Sequence, residues 1–268
     1  MFGLCLFISA TIAGESASKV YKFGVVPQFD ARRISQIWHP ILDQLEKDSG
    51  LKLVLVGSNS IPTFEEEFKN GVFDFVYMNP YHIITANKQQ GYIPLVRDIG
   101  RELYGIVVVH KDSEIKKVED LHGKSVAFPA PNALGASLMP RSELKNIYNI
   151  QIHPKYVQTH TSVYLNVTLG ETAAGGGVQK TLEQQPQEIQ QSLRILYKTE
   201  RVPPHPVSVH PRVHNDVAQR IKKAFLSLGL TESGKSLLKK VPIQQIGSAH
   251  ISDYDPIVKL GLEPLFQN

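Results

Sequence analysis

Short β-prone runs alternate with amphipathic helical runs along most of this chain, and that alternation restricts it to an α/β architecture. Residues 21–26 are strand-like and closed by Pro27, after which Ile34, Ile37, Trp38, Ile41, Leu42 and Leu45 share one helix face that Gly50 ends. Residues 51–56 have strand length, 62–69 are helix-like, and 73–77 form a strand ended by Asn79 and Pro80. The pattern then repeats. A β-branched run at 104–109 is expected to cross between lobes, 124–128 is a strand, 132–148 is helical, 156–158 lies in a strand and 162–169 is a helix. Residues 172–174 begin a strand ahead of the glycines at 175–177, 194–197 is strand-like, and 202–206 is a proline-stiffened crossing. Val213, Val217, Ile221, Phe225 and Leu228 mark the core stripe of a closing helix. Alternation of this kind predicts mostly parallel sheets flanked by helices.

At 268 residues, 42% hydrophobic and 20% charged, the chain is long enough for two lobes. A short internal echo supports two similar halves: around Asp74 and around Thr172, a glycine precedes a buried strand that opens into a loop. The expected organisation is a signal-like segment at 1–17, a discontinuous first lobe at 18–105 and 205–268, and a second lobe at 106–204. Ligands of open α/β sheets bind beyond the carboxyl ends of the strands, so two such sheets facing each other share one cleft. Two chain crossings would act as its hinge.

The first 13 residues are uncharged and mostly apolar, ending in small residues before a polar stretch. They read as the hydrophobic region of a secretory signal without its usual positive flank, cleaved after Ala13 or Ala17, which places the mature protein in the periplasm. Cys5 is the only cysteine. It falls inside this segment, so the processed chain would have no thiol chemistry; Leu4 is not the small residue that lipid anchoring at Cys5 requires.

The segments YKFGVVPQFDARRISQIWHPILDQLEKDSGLKLVLV, FKNGVFDFVYMNPYHIITA, DLHGKSVAFPAPNALGASLMPRSEL and VQTHTSVYLNV resemble, in consistent order, the phosphate-, phosphite- and phosphonate-binding proteins of ABC transporters. The resemblance implies a type II periplasmic-binding-protein fold, a ligand enclosed between lobes, no cofactor and no catalytic machinery. It also implies a membrane permease as partner. The family's cleft aromatic matches Tyr104, and its histidine before a second-lobe helix matches His160. Its Ser-Thr-Ser phosphonate cradle falls on Ala133, Leu134 and Gly135, and its first-lobe tyrosine falls near Ile61. The acidic residue that reads an amino group in aminophosphonate binders falls on His205, and the other acidic reader has no carboxylate counterpart near Gln179. The resemblance therefore carries the fold and an anionic small ligand, and it does not carry aminophosphonate specificity.

Among the residues themselves, Asn132, Ala133, Leu134, Gly135, Ala136 and Ser137 form a helix start whose backbone N–H groups and dipole suit an anion. An equally open reading makes Asn132 a plain helix cap and the small residues packing contacts. Tyr77, Asn79 and Tyr81 stand at a strand end from which their polar tips can reach the cleft or stay in the core. His160 and Thr161 sit at a strand-to-helix turn, with Thr161 or Ser162 as cap; Asn59 and Ser60 offer a polar loop before the first-lobe helix. His205, between prolines, lines the cleft or decorates the hinge. The glycines at 175–177 read as a third backbone cradle or as a flexible loop.

A net charge of +4 from scattered lysines and arginines argues against nucleic acid, which calls for a clustered basic face. No phosphate-binding glycine loop, nucleophile elbow, metalloprotease helix or metal-ligand spacing occurs among the ten histidines, so an enzyme is not expected. The expected protein is a monomeric, extracytoplasmic solute-binding protein for a small anion. The alternative is a ligand-sensing module paired with a membrane histidine kinase or diguanylate cyclase.

Overall fold

The computed structural model describes residues 19–266, so the signal-like segment and Cys5 lie outside the described residues. The first stretch builds β1 (Val20–Val25), α1 (Ala31–Ser49), β2 (Lys52–Val56), α2 (Ile61–Lys69), β3 (Phe75–Tyr77), α3 (Pro80–Gln90) and β4 (Ile93–Asp98). The middle builds β5 (Gly105–His110), β6 (Ser125–Phe128), a π-turn at Leu134–Leu138, α4 (Met139–Asn146), β7 (His153–Tyr156), α5 (His160–Thr168) and β8 (Ala174–Val178). It continues through α6 (Gln179–Glu183), α7 (Gln187–Ser192) and β9 (Leu193–Lys198). The chain then returns through β10 (Pro206–Val209), α8 (Asn215–Leu228), α9 (Glu232–Lys240), β11 (Ile246–Ser248) and α10 (Asp255–Val258).

Local chemistry sets these boundaries. Asp30 caps α1 by accepting from the Arg33 amide at 3.0 Å, and Gly50 ends the helix in the left-handed region at φ 65°, returning its own N–H to the Glu46 carbonyl. The stripe Ile34, Trp38, Ile41, Leu42 and Leu45 is buried. Gly71 (φ 66°) and Gly170 (φ 73°) follow α2 and α5 in the same left-handed conformation, so the short sequence echo corresponds to a shared turn ahead of β3 and β8.

The chain forms two lobes, each an α/β layer structure. The six-stranded sheet has the order β11-β4-β10-β3-β1-β2 and the five-stranded sheet β7-β6-β8-β5-β9. Both are mixed rather than mostly parallel. In the first, β1 pairs parallel with β2 and β3, whereas β10 runs antiparallel to β3 and β4, and β11 antiparallel to β4. In the second, β6 pairs parallel with β7 and β8, whereas β5 runs antiparallel to β8 and β9. The physical reason is the exchange of strands: β5 enters the second sheet from the first lobe, and β10 enters the first sheet from the second, each arriving against the direction of its new neighbours.

The crossings run side by side and are tied by reciprocal bonds, Leu103 N–H to Val202 O at 2.7 Å and Val202 N–H to Leu103 O at 2.8 Å. Most of the run read as the first crossing is instead β5, inside the second sheet. Its alternate residues feed two cores, Val107 and Val109 on one face and Ile106 and Val108 on the other. The strand expected at 156–158 ends at Tyr156, because Gln158 turns the chain at φ 72°. Helix α8 does not close the chain: α9 and β11 follow it, and β11 extends the first sheet.

The π-turn joins the lobes. A Cβ on Gly105 would stand 1.9 Å from the Gly135 carbonyl oxygen, and one on Gly176 2.1 Å from that of Ala136, so bare backbone at β5 and β8 lets the turn lie directly on the second sheet. Its other side faces the first lobe, where Ala133, Leu134, Ala136, Leu138 and Met139 join the large core cluster. The glycines at 175–177 are therefore strand residues that make room for packing, not a flexible loop.

Candidate functional site

A cavity of about 810 Å³ opens beside the crossings. The first lobe lines it with Gln28, Phe29, Tyr77 and Arg97, and the second with Val178, Gln179, Lys180, Thr181 and Gln184. The crossings themselves add Arg101, Tyr104, Arg201 and His205. Five cationic side chains (Arg97, Arg101, Lys180, Arg201, Lys239) face two acidic ones (Glu102, Glu183) across this lining, which gives it positive character.

The aromatic wall is continuous with the first-lobe core. Trp38 packs on Tyr77 with ring centroids 5.0 Å apart, and Tyr77 stacks on His205 at 5.3 Å and 23°. Burial pushes the Tyr77 phenol well above its ordinary range. The His205 ring shares a 2.9 Å hydrogen bond with the Gln28 amide, and burial, reinforced by His82, Arg101 and His160, lowers its pKa to about 3. It is therefore a neutral wall residue at physiological pH. Tyr104 donates its hydroxyl to Gln179 Oε1, and the Arg201 guanidinium lies 5.1 Å above its ring.

His160 stands behind this wall. It is buried, bonded through Nδ1 to the hydroxyl of the lining residue Thr181 at 3.3 Å, and burial lowers its pKa to about 4. It opens α5, whose cap is Thr159, accepting from the Ser162 amide at 3.0 Å; neither Thr161 nor Ser162 fills that position. Thr161 is half-buried and outside the cavity lining.

The remaining sequence candidates gather at a different part of the interlobe seam. Asn132 donates from Nδ2 to Glu65 Oε2 at 2.7 Å, and its carbonyl accepts from Asn79 Nδ2 at 3.2 Å. Asn79 caps α3, accepting from the Tyr81 and His82 amides at 2.8 Å, and meets the His82 ring at 3.0 Å. His82 in turn meets Glu65 Oε1 at 2.9 Å. This buried network of Glu65, Asn79, His82 and Asn132 ties the second lobe to α2 and α3. Ala133, Leu134, Gly135, Ala136 and Ser137 are buried beside it and do not line the cavity; Ser137 Oγ has no protein partner among the described residues. Tyr81 packs on Phe266 at 5.0 Å. Ser60 caps α2, accepting from the Thr63 amide, and Asn59 is exposed.

The structure thus brings Tyr77, Tyr104 and His205 into one cavity with His160 one layer behind, and keeps the 132–137 segment and Asn79 in the seam. Gln28, Arg101, Gln179 and Arg201 are lining residues that sequence reasoning did not select. The available signal was position: Arg101 and Arg201 flank the crossings, two residues before Leu103 and one before Val202.

Comparison with known proteins agrees with this architecture. A phosphonates-binding periplasmic protein of Escherichia coli K12 is 21% identical over 90% of this chain and 75% of its own length. A binding-protein component of an ABC phosphonate transporter from Pseudomonas aeruginosa superposes with a TM-score of 0.84 at 14% identity, covering 92% of this chain and 88% of that one. A Prochlorococcus marinus protein in complex with methylphosphonate superposes with a TM-score of 0.82 at 16% identity, over 92% and 98% of the two chains. Residues 23–254 match the family model described as ABC transporter, phosphonate, periplasmic substrate-binding protein. With two lobes, paired crossings and a cationic cleft between them, the chain belongs to this family of periplasmic substrate-binding proteins.

Proposed function

We propose that this protein captures a small anion in the cavity beside its crossings and presents it, with the lobes closed, to the permease of an ABC importer. The lobes are 18–105 with 205–268 and 106–204, the Leu103–Val202 bridge is the hinge, and the mature protein acts as a monomer in the periplasm after loss of an N-terminal signal. The carrying observation is the excess of cationic over acidic side chains around a cavity fed by both lobes. The phosphonate named for its relatives supports an oxyanion. Tyr104, Tyr77, His205 and, through Thr181, His160 are the sequence candidates best placed to shape the site. Ala133–Ser137 contribute by fixing how the lobes meet.

A thermal-shift screen across phosphate, phosphite, alkylphosphonates, phosphate monoesters, sulfonates and carboxylates tests this reading. A ligand present at 100 times its dissociation constant stabilises by about 2.7 kcal/mol, a readily measured shift. Silence across the whole panel would remove anion capture as the function.

A further inference from the structure

We propose, resting on that reading, that the ligand is a hydroxylated phosphate monoester of sugar-phosphate size, its phosphate held between Arg101 and Arg201 at the hinge and its body lying along Tyr104, His205 and Gln184. The family resemblance puts the anion elsewhere, on the residues that are here Ala133, Leu134 and Gly135. Those residues carry no hydroxyl, and Leu134 is spent on the first-lobe core.

Arg101 is built as an anion anchor. Its Nε meets Asp98 Oδ2 at 3.0 Å, and the same buried carboxylate accepts from the amides of Gly100, Gln244 and Gln245 at 2.9 to 3.0 Å. Three amides fix Asp98, Asp98 fixes the arginine stem, and no protein group among the described residues bonds Nη1 or Nη2. An open guanidinium fork on a braced stem matches the paired oxygens of a phosphate. Arg201 approaches from the neighbouring crossing. Glu102 is 4.0 Å away with both side chains more than half exposed, a weak, solvent-screened pair that exchanges readily for a ligand oxygen. Two guanidinium groups on adjacent strands at one cavity favour a guest with more than one negative charge.

The rest of the lining excludes an amine and asks for hydroxyls. Where family members place acidic amine readers, this chain has His205 and no carboxylate at Gln179. Of the two lining acids, Glu183 bonds Lys180 at 3.1 Å, and the Glu102 side chain is more than half exposed to solvent. Gln28, Gln179, Gln184 and Gln244 supply amides instead, and Gln184 Oε1 is a buried acceptor with no protein donor. At about 810 Å³ the cavity lies within the range of roughly 300–1,000 Å³ that suits a ligand with a substantial body, and a single-centre oxyanion would leave most of its polar lining unused.

Calorimetric titration with ribose 5-phosphate, glycerol 3-phosphate, methylphosphonate, inorganic phosphate and ribose tests the assignment. The monoesters should bind at least about tenfold more tightly than methylphosphonate or phosphate, ribose should not bind measurably, and Arg201→Gln and Arg101→Lys should each weaken the monoesters by about tenfold. Arg101→Lys keeps a cation beside Asp98 and loses the fork. Should it lower the melting temperature in buffer, Arg201→Gln, at an exposed position, decides the matter alone. Equal or tighter binding of methylphosphonate, or monoester binding indifferent to Arg201→Gln, overturns the assignment while leaving anion capture intact. No binding by any anion overturns both.

Discussion

Two ends of one interlobe seam use polar side chains in opposite ways. At one end Glu65, Asn79, His82 and Asn132 are buried and bonded to one another across the lobes, beside a π-turn packed into the first-lobe core. At the other, arginines, lysines and glutamines line a cavity, where Gln184 Oε1 is buried with no protein partner among the described residues. Buried polar groups bonded to one another across a seam specify how two surfaces meet, even though His82 Nδ1 and the neighbouring Ser137 Oγ lack a protein partner. Polar groups lining an open cavity specify what enters it. On the proposed reading, the contrast leaves the segment resembling the family's ligand cradle a structural part and puts recognition beside the hinge.

The sharpest way to break this comparison is to cut the dry end. Glu65→Ala would take from the interior the carboxylate that meets both the His82 ring and the Asn132 amide, and removing one partner of a buried pair costs roughly 3–5 kcal/mol. Urea denaturation should show that loss, with Glu65→Gln, which keeps an acceptor, costing less than half as much. A cost below about 1 kcal/mol for Glu65→Ala would show that the network does not hold the lobes together.

Acid comes next. Two of the buried imidazoles have folded pKa values below the ordinary 6.5, about 4 for His160 and about 3 for His205. As pH falls the unfolded chain therefore takes up these protons first. The stabilisation is complete above pH 6.5 and is lost between 6.5 and about 4 for His160, on the order of 3 kcal/mol, with His205 continuing the decline toward 3. His160→Gln should flatten the dependence of the urea midpoint on pH across that window. An unchanged slope would mean that the ring is not held neutral.

A smaller effect is expected where the π-turn meets the second sheet. Gly176→Ala drives a Cβ to 2.1 Å from the Ala136 carbonyl oxygen and 2.5 Å from the Phe128 ring, overpacking that costs about 1–3 kcal/mol. Gly57→Ala, with nothing within 4 Å of its Cβ, is the matched control and should leave the melting temperature in place. The mildest change belongs to the wet end. Tyr104→Phe keeps the ring under Arg201 and loses only the bond to Gln179, so ligand affinity should fall by no more than about fivefold while stability holds.

What the sequence made legible was local. The stripe from Ile34 to Leu45 and its stop at Gly50 follow from periodicity and capping and appear in the structure as α1, and the strand ended by Asn79 and Pro80 appears as β3. The two-lobed α/β class also followed, because alternation leaves few other architectures. Strand direction did not: β5 and β10 pair with strands far away in the chain, and no local pattern encodes that they enter antiparallel. The role of the glycines at 175–177 was hidden for a related reason, since what they admit comes from elsewhere in the chain: Val163 and Val167 at Gly175, the Ala136 carbonyl and Phe128 ring at Gly176, and the Tyr164 ring at Gly177. Of the cavity lining, Tyr77, Tyr104 and His205 were legible as polar rings at element ends. Arg101 was not, because its meaning depends on Asp98 and on amides from residues 244 and 245, which only the fold brings together.

The most direct test of the hinge-side cavity uses Trp38, the single tryptophan of the chain, which packs on the cavity residue Tyr77. Titration with a phosphate monoester should change its emission saturably, with the midpoint moving to higher ligand concentration as salt screens the arginines. A flat trace in low salt, under conditions where calorimetry registers binding, would place the ligand away from the Tyr77–His205 wall and contradict the account.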